Sequence, residues 1–449
     1  MALYCANTMA TSSAPASPPI NRLALMSLAG ASIEWYDFFL YGVGAALVFP
    51  ALFFPPSLPH SVALVASFST FAVGFLARPI GALAFGHVGD RVGRKSALAI
   101  AMVLMGVATT LIACLPSYAA IGPAAPVILV LLRFLQGLAI GGQWGGAMLL
   151  LVESAPQGRR GFYGSVAQVG VPVGVVSANI AFLLVGALTT PEDFNAWGWR
   201  VPFLLSVALV GLGLYLHWRV EETPVYQELM RKGGPARAQR TGSPVLQALR
   251  QHPREILLAV GAHIAVNLCF YICITYVIAY GTDAAGLHLS RTTMLSAVVI
   301  ASALMAPTLL LAGALSDRFG RRRVYMTGAA LTAVSAFVMF PLLATESLPW
   351  MTTGIALTLC TSAFMYGPQA ALFGELFRTH VRYSGASFAY QTGAILGGGF
   401  APLIATALTA RLHSTIGVSF YMAAACLLAF VAVFHMRETS ASSLTEDGG

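Results

Sequence analysis

The sequence predicts an all-α polytopic membrane protein with twelve transmembrane helices in two related six-helix halves. Three observations carry that prediction. Only 9% of the 449 residues are Asp, Glu, Lys or Arg, while 57% belong to the AVILMFWYC set; a soluble domain carries about 25% charged residues and needs them to cover its surface. Twelve apolar runs have the roughly 20 residues that a helix needs to cross hydrocarbon. One charged loop motif occurs twice, half a chain apart. Disorder and collagen are excluded, the first by the apolar content and the second by the lack of a glycine at every third position. The net charge of +8 follows from basic loops on one side of a bilayer rather than from nucleic-acid binding.

Residues 1–21 are rich in Ala, Ser, Thr and Pro and have no basic cluster. They read as a disordered cytoplasmic tail, with Met9 a second candidate start, and not as a signal peptide. The first span, 22–49, carries Glu34 and Asp37, which a cleavable signal core would not. Spans 61–89, 96–115, 126–152, 162–188 and 199–217 complete an N-terminal bundle over 22–217. A polar cytoplasmic linker, 218–254, precedes spans 255–281, 292–316, 322–344, 348–374, 381–410 and 414–436. These form a C-terminal bundle over 255–436, and 437–449 is a second cytoplasmic tail. Pro79, Pro172 and Pro402 fall inside spans, where neighbouring helices can satisfy the freed backbone groups. Strands of a β-barrel would be half as long and would alternate polar with apolar residues.

Lys and Arg set the orientation. With both termini inside, the inner loops hold Arg91, Arg94, Lys95, Arg159, Arg160, Arg318, Arg321, Arg322, Arg323, Arg378 and Arg382 besides the basic linker, against Arg200, Arg291 and Arg411 outside.

Gly86-x-x-x-Asp90-Arg91-x-Gly93-Arg94-Lys95 follows span two, and Gly313-x-x-x-Asp317-Arg318-x-Gly320-Arg321-Arg322 follows span eight, 227 positions later. Glu153 with Arg159 and Arg160 after span four is echoed by Glu375 with Arg378 and Arg382 after span ten. Asp90, Arg91, Arg94, Glu153, Arg159 and Arg160 are therefore expected to gate one half, and Asp317, Arg318, Arg321, Glu375 and Arg382 the other. Six plus six spans with parallel halves is the layout of a rocking secondary transporter.

The duplicated motif resembles the signature of the major facilitator superfamily, and the likeness extends over nearly the whole chain. Gly30-Ala-Ser-Ile-Glu34-Trp35-Tyr36-Asp37-Phe38, Arg78-Pro79, Arg133-x-x-Gln136-Gly137, Arg160-Gly161 and Trp197-Gly198-Trp199-Arg200-x-Pro202-Phe203 resemble the metabolite:proton symporter family within it. The segments Asp317 to Tyr325, Arg382 to Gly385, Tyr390-Gln391 and Gly397 to Gly399 are most similar to members that carry shikimate. The resemblance implies the major facilitator fold, a bacterial inner-membrane location, a monomer, and import of a small hydroxylated carboxylate such as shikimate with protons. Symport of a dicarboxylate or a zwitterionic osmolyte is the alternative within that class. Where the family has Gly-Gly-Glu in span four, this chain has Gly141-Gly142-Gln143, so a carboxylate is replaced by a neutral amide.

Ionisable groups at mid-bilayer are costly and face the bundle interior. Glu34 lies about 18 Å into span one, and Asp37 is one turn further on the same face. Arg78 lies at a similar depth in span two, and Arg133 about 10 Å into span four. Glu34 and Asp37 are the expected proton-coupling groups. Arg133 is the preferred partner of a substrate carboxylate, with Arg78 a second and Gln136 and Gln143 close by. The competing reading is a structural ion pair tying spans one, two and four together. The second half offers Asn267, Tyr271, Tyr276, Gln369, Tyr390 and Gln391, which can serve substrate hydroxyls. His263 reads as a satisfied polar residue.

Gly137, Gly141 and Gly145 form a ridge for close helix contact, and Gly397 to Gly399 read as either a hinge or tight packing. The six cysteines are scattered apolar filler. No metal site or cofactor is expected. A receptor that binds without translocating is the alternative from another class, and intact motifs in both halves argue against it. An enzyme is disfavoured because no nucleophile stands with a base and no nucleotide motif occurs.

Overall fold

The computed structural model describes residues 20–92, 94–141, 144–219, 249–283, 286–377 and 382–440. Within them the expected spans appear as twelve long helices. In the first half, α1 is Ile20–Leu47, α2 His60–Val92 and α3 Arg94–Cys114; α4 is Ala124–Gly141 continued by Trp144–Ser154, α5 Arg160–Leu188 and α6 Arg200–Arg219. In the second, α7 is Pro253–Thr282, α8 Arg291–Phe319, α9 Arg321–Leu343 and α10 Leu348–Leu376. The helix α11 runs through Arg382–Ala394, Ile395–Gly399 and Ala401–Leu412, and α12 is Ile416–Phe434. Each bound lies within about a helical turn of its expected position. The expected N-terminal tail to residue 19, linker residues 220–248, and 441–449 lie outside the described residues.

Among the described residues, nine of these helices are long and apolar enough to cross a membrane. The other three are α1, which holds Glu34 and Asp37, α3, whose apolar part is Ala99–Cys114, and α6. The outer surface is apolar: Val334, Leu427 and Phe420 are among its most exposed large side chains. Such a surface suits lipid and would aggregate in water.

Packing repeats between the halves. α2 packs on α4 as α8 packs on α10, α1 on α5 as α7 on α11, and α3 on α6 as α9 on α12. The halves meet where α5 lies along α8 and where α2 lies along α11, two contacts related by the same exchange. The repeat seen in the sequence is thus a repeat of packing partners.

Local irregularities fall where the sequence allows them. The regular bonding of α5 is interrupted at Val169 just before Pro172, and that of α11 at Phe400 just before Pro402, because proline lacks an N–H for the preceding turn. Wide turns with i to i+5 bonding occur at Ile272–Tyr276 in α7 and Ile395–Gly399 in α11. Gly320, the glycine of the second motif copy, has φ 95° between α8 and α9, a backbone region that disfavours any side chain.

The glycine ridges settle as close contacts. A Cβ on Gly137 or Gly141 would lie about 2 Å from the carbonyl oxygens of Gly74 and Arg78, so α4 and α2 touch backbone to backbone. The Gly397 to Gly399 run is tight packing. A Cβ there would meet the Ile264 carbonyl, the Tyr271 ring and the Phe75 ring. The environment of Gly145 lies outside the described side chains.

Candidate functional site

At the centre of the molecule α1, α2 and α4 bring two arginines around one aromatic ring. Arg78 Cζ lies 4.5 Å from the Phe38 ring centroid and Arg133 Cζ lies 4.3 Å from it. Phe75 completes the cover of Arg78 at 4.1 Å, and Tyr41 and Phe71 that of Arg133 at 4.2 and 4.7 Å. Both guanidiniums are fully buried. Neither forms an ion pair with Glu34 or Asp37 among the described residues; Arg78 hydrogen-bonds the Tyr271 side chain, and the Nε and Nη2 atoms of each guanidinium have no hydrogen-bond partner among the described residues. Cation–π attraction recovers only about 2 kcal/mol of a desolvated charge. The ion pair of the competing reading, between spans one, two and four, does not occur among the described residues.

The two arginines face different surroundings. Arg133 donates from Nη1 to Gln136 Oε1 at 3.1 Å, and Gln136 Nε2 donates to Thr109 Oγ1 at 2.8 Å. Both ends of the Gln136 amide are engaged, so it serves as a prop for Arg133 within the first half. Arg78 turns toward the second half, where it hydrogen-bonds the Tyr271 side chain.

A small cavity lies between the halves; Arg78 is not part of its lining and reaches it only through Trp35 and Tyr271. Its polar lining comes from Trp35, Asn267, Tyr271, Ser362, Tyr366 and Tyr390. The Tyr366 and Tyr390 hydroxyls stand 3.4 Å apart. His263 lies behind this wall with its ring 3.9 Å from that of Tyr390. Its Nδ1 is 3.0 Å from Gln369 Oε1, and Asn267 Nδ2 is 2.6 Å from its Nε2. That is the pattern of a neutral ring donating from Nδ1 and accepting at Nε2, with the amide orientations assigned by the same network.

Asp37 is buried and accepts a hydrogen bond from Ser206 of α6. Glu34 is partly buried and has no polar partner among the described residues. Gln391 is buried with Oε1 unpartnered among the described residues, as is Gln369 Nε2. Tyr276 is placed elsewhere: its hydroxyl is 2.6 Å from Thr409 and its ring stacks on Tyr280, away from the cavity. It is the last residue of the wide turn Ile272–Tyr276. Gln143 lies outside the described residues.

At the end of the bundle carrying Asp317, buried charges cross between the halves. Asp317 accepts from the backbone N–H groups of Gly161 and Phe162 at 2.8 and 2.9 Å, capping α5 of the other half. Arg321 pairs with Asp317 at 2.6 Å and grips Glu375 with a fork, Nε to Oε2 at 3.3 Å and Nη2 to Oε1 at 3.2 Å. Arg160 approaches Glu375 at 3.7 Å, and Arg382 pairs with Glu153 at 3.0 Å. Arg159 and Arg318 were expected in this network; both are exposed and join no ion pair among the described residues. The side chains of Asp90, Arg91 and Arg94 lie outside the described ones. At the opposite end His60 and Asp283 stand 4.0 Å apart, and Arg291 lies 3.8 Å from the Phe194 ring, again across the halves. Contacts between the halves thus occur at both ends of the bundle.

The sequence reading missed several participants. Ser206, Thr109, Ser362 and Tyr366 are ordinary residues until the helices pack. Glu438 and Thr439 were assigned to a plain tail. Instead Glu438 accepts from the N–H groups of Arg321 and Arg322 at the start of α9, and Thr439 Oγ1 donates to Glu375 at 2.8 Å. Burial acts to raise the Glu438 carboxyl. Four backbone N–H groups, from Arg321, Arg322, Ser440 and Thr439, outweigh it and hold the group below the usual carboxylate range. The legible signal was an acid with a hydroxyl residue two turns or less beyond an apolar span.

Residues 23–244 match the family model described as "Sugar (and other) transporter", and residues 265–448 match "Major Facilitator Superfamily". The chain is 40% identical to the shikimate transporter of Escherichia coli K12 over 93% of this chain and 94% of that one. It is 41% identical to the inner membrane metabolite transport protein YhjE of the same strain, over 94% and 96%. It is also 32% identical to the Escherichia coli proline/betaine transporter, over 92% and 82%. Among solved structures it is similar to the Escherichia coli xylose transporter XylE in a partially occluded inward-open conformation, with TM-score 0.73 and 19% identity over 95% of this chain and 99% of that chain. At that identity the likeness speaks for the fold alone.

Proposed function

Because the chain belongs to the major facilitator superfamily, a family of transporters and not of enzymes, we propose that it carries a small hydroxylated carboxylate such as shikimate across the bacterial inner membrane in symport with protons. The observation that carries this reading is Arg78. It is buried, has no carboxylate partner among the described residues, and contacts Trp35 and Tyr271, two of the walls of a cavity lined by phenol, amide and hydroxyl groups. A bidentate guanidinium suits a carboxylate that must leave water. Asn267, Tyr271, Tyr366 and Tyr390 suit its hydroxyls. The substrate carboxylate is assigned to Arg78 in preference to Arg133, which Phe38, Tyr41 and Phe71 enclose on the first half's side.

Asp37 and Glu34 are the proposed proton carriers, on the helix that also presents Trp35 to the cavity. The end that carries Asp317 is assigned to the cytoplasm, from the basic loops. Alternating access then consists of breaking the charge network there while the His60–Asp283 end stays shut, and the reverse.

A dicarboxylate is the second reading, favoured by one fact: two guanidiniums, not one, lack carboxylate partners among the described residues. A second carboxylate would have to displace Phe38 to reach Arg133, which weighs against it. Proteoliposomes with an imposed inward proton gradient test the proposal. Labelled shikimate should accumulate above equilibrium, and succinate should compete weakly. Accumulation of succinate without shikimate would transfer the assignment to the dicarboxylate, and accumulation of neither would remove the carboxylate reading.

A further inference from the structure

Between the end of α8, the start of α9 and the chain beyond α12 lies a groove separate from the cavity between the halves. Arg318, Arg322 and Arg323 line it together with Phe319, Met326 and Glu438. The single carboxylate is already committed, since Glu438 holds backbone N–H groups of Arg321, Arg322, Thr439 and Ser440. The Arg322 guanidinium binds the last carbonyls of α12, those of Val433 and Phe434. Arg318 and Arg323 are left exposed and form no ion pair among the described residues, so three arginines face the one carboxylate of Glu438. Positive charge therefore collects in the groove.

The same place is the polar end of an apolar surface. Phe319 at the rim is half exposed. Ile300, Leu304 and Leu311 are exposed along α8, and Leu331, Val334 and Val338 along α9. Their spacings put each set on one helical face. A ligand that fits both parts has an anionic head and apolar tails.

We propose that this groove binds the phosphate of an anionic phospholipid, with Arg318 and Arg323 as the contacts for the headgroup and the outer faces of α8 and α9 as the bed for the acyl chains. Basic pockets at the membrane edge are suited to such headgroups. Because Glu438 lies in the groove and Thr439 bonds Glu375, a bound lipid sits against the charge network that joins the halves. The proposal rests on membrane embedding and not on the identity of the transported solute.

The test is binding of phosphatidylglycerol to the purified full chain, by native mass spectrometry and by titration of thermal stability against a phosphatidylcholine background. R318Q/R323Q should bind about 30-fold more weakly, from two charges worth about 1 kcal/mol each. R291Q/R411Q, which removes the same charge at the opposite end, should bind as the parent does. Unfolding in phosphatidylcholine alone shows whether R318Q/R323Q is folded, since both side chains are exposed. Equal affinity of the parent and R318Q/R323Q would overturn the proposal. Inorganic phosphate stabilising the parent as well as phosphatidylglycerol does would make this a free-anion site. Binding that appears only in E446Q/D447N would show that the chain's own acidic end fills the groove instead. Either result overturns the assignment to lipid.

Discussion

Arg78 and Arg133 are shielded by rings instead of carboxylates, and their surroundings divide the work between them. Replacing Arg78 by Lys keeps the charge but loses the planar fork. Shikimate affinity should fall at least tenfold, about 1.4 kcal/mol, as measured by calorimetry on the purified protein. Arg133→Lys should act mainly on stability, since it breaks the chain to Gln136 and Thr109; a larger loss of affinity there would return the carboxylate to Arg133. Asp37→Asn, and Glu34→Gln to a lesser degree, should abolish proton-driven accumulation while substrate exchange persists. Uphill uptake in the double variant would remove the coupling assignment from α1. The sequence made the four charges legible, because an ionisable residue amid apolar ones stands out. It did not show that acids and arginines avoid each other. That depends on helix rotation, and the rings that shield Arg78 and Arg133 come from α1 and α2 at positions that look like ordinary core.

Among the helices, α11 shows how a glycine run positions the site. Gly398 lies where a Cβ would meet the Tyr271 ring at 2.6 Å, and Tyr271 is a wall of the cavity. Gly398→Val should lower thermal stability by about 1–3 kcal/mol through overpacking and weaken substrate binding through displacement of Tyr271. Gly186→Ala, where the new methyl meets nothing within 4 Å, should be neutral or slightly stabilising in the same melt. Equal effects at the two positions would deny Gly398 its packing role. The spans were legible because length and apolarity suffice to define them. The wide turns in α7 and α11 were not, since an extra residue in a turn reflects tertiary contacts.

For the molecule as a whole, the charges at the Asp317 end act between halves. Asp317→Asn weakens the pair with Arg321 and the cap on α5. Loss of a cap costs about 1 kcal/mol, enough to shift a balanced equilibrium several-fold. Val152, buried against Gly164 and Gly374 where the halves meet, is a suitable reporter. A cysteine placed there should react faster with a polar maleimide in Asp317→Asn than in the parent. Unchanged labelling would reduce these charges to setting topology. The duplicated motif made this region stand out in the sequence. The pairings across halves were hidden, because a repeat shows what resembles what and not what touches what.

The rings around Arg78 have a consequence for selectivity. A cation lodged against Phe38 and Phe75 has already shed most of its water, so the dehydration cost of binding falls almost entirely on the incoming anion. Carboxylates on large, polarisable carbon frames surrender water readily, whereas sulfate and phosphate hold it tightly. The site would therefore sort anions by hydration before it reads their shape, and abundant inorganic ions would be turned away without any steric barrier.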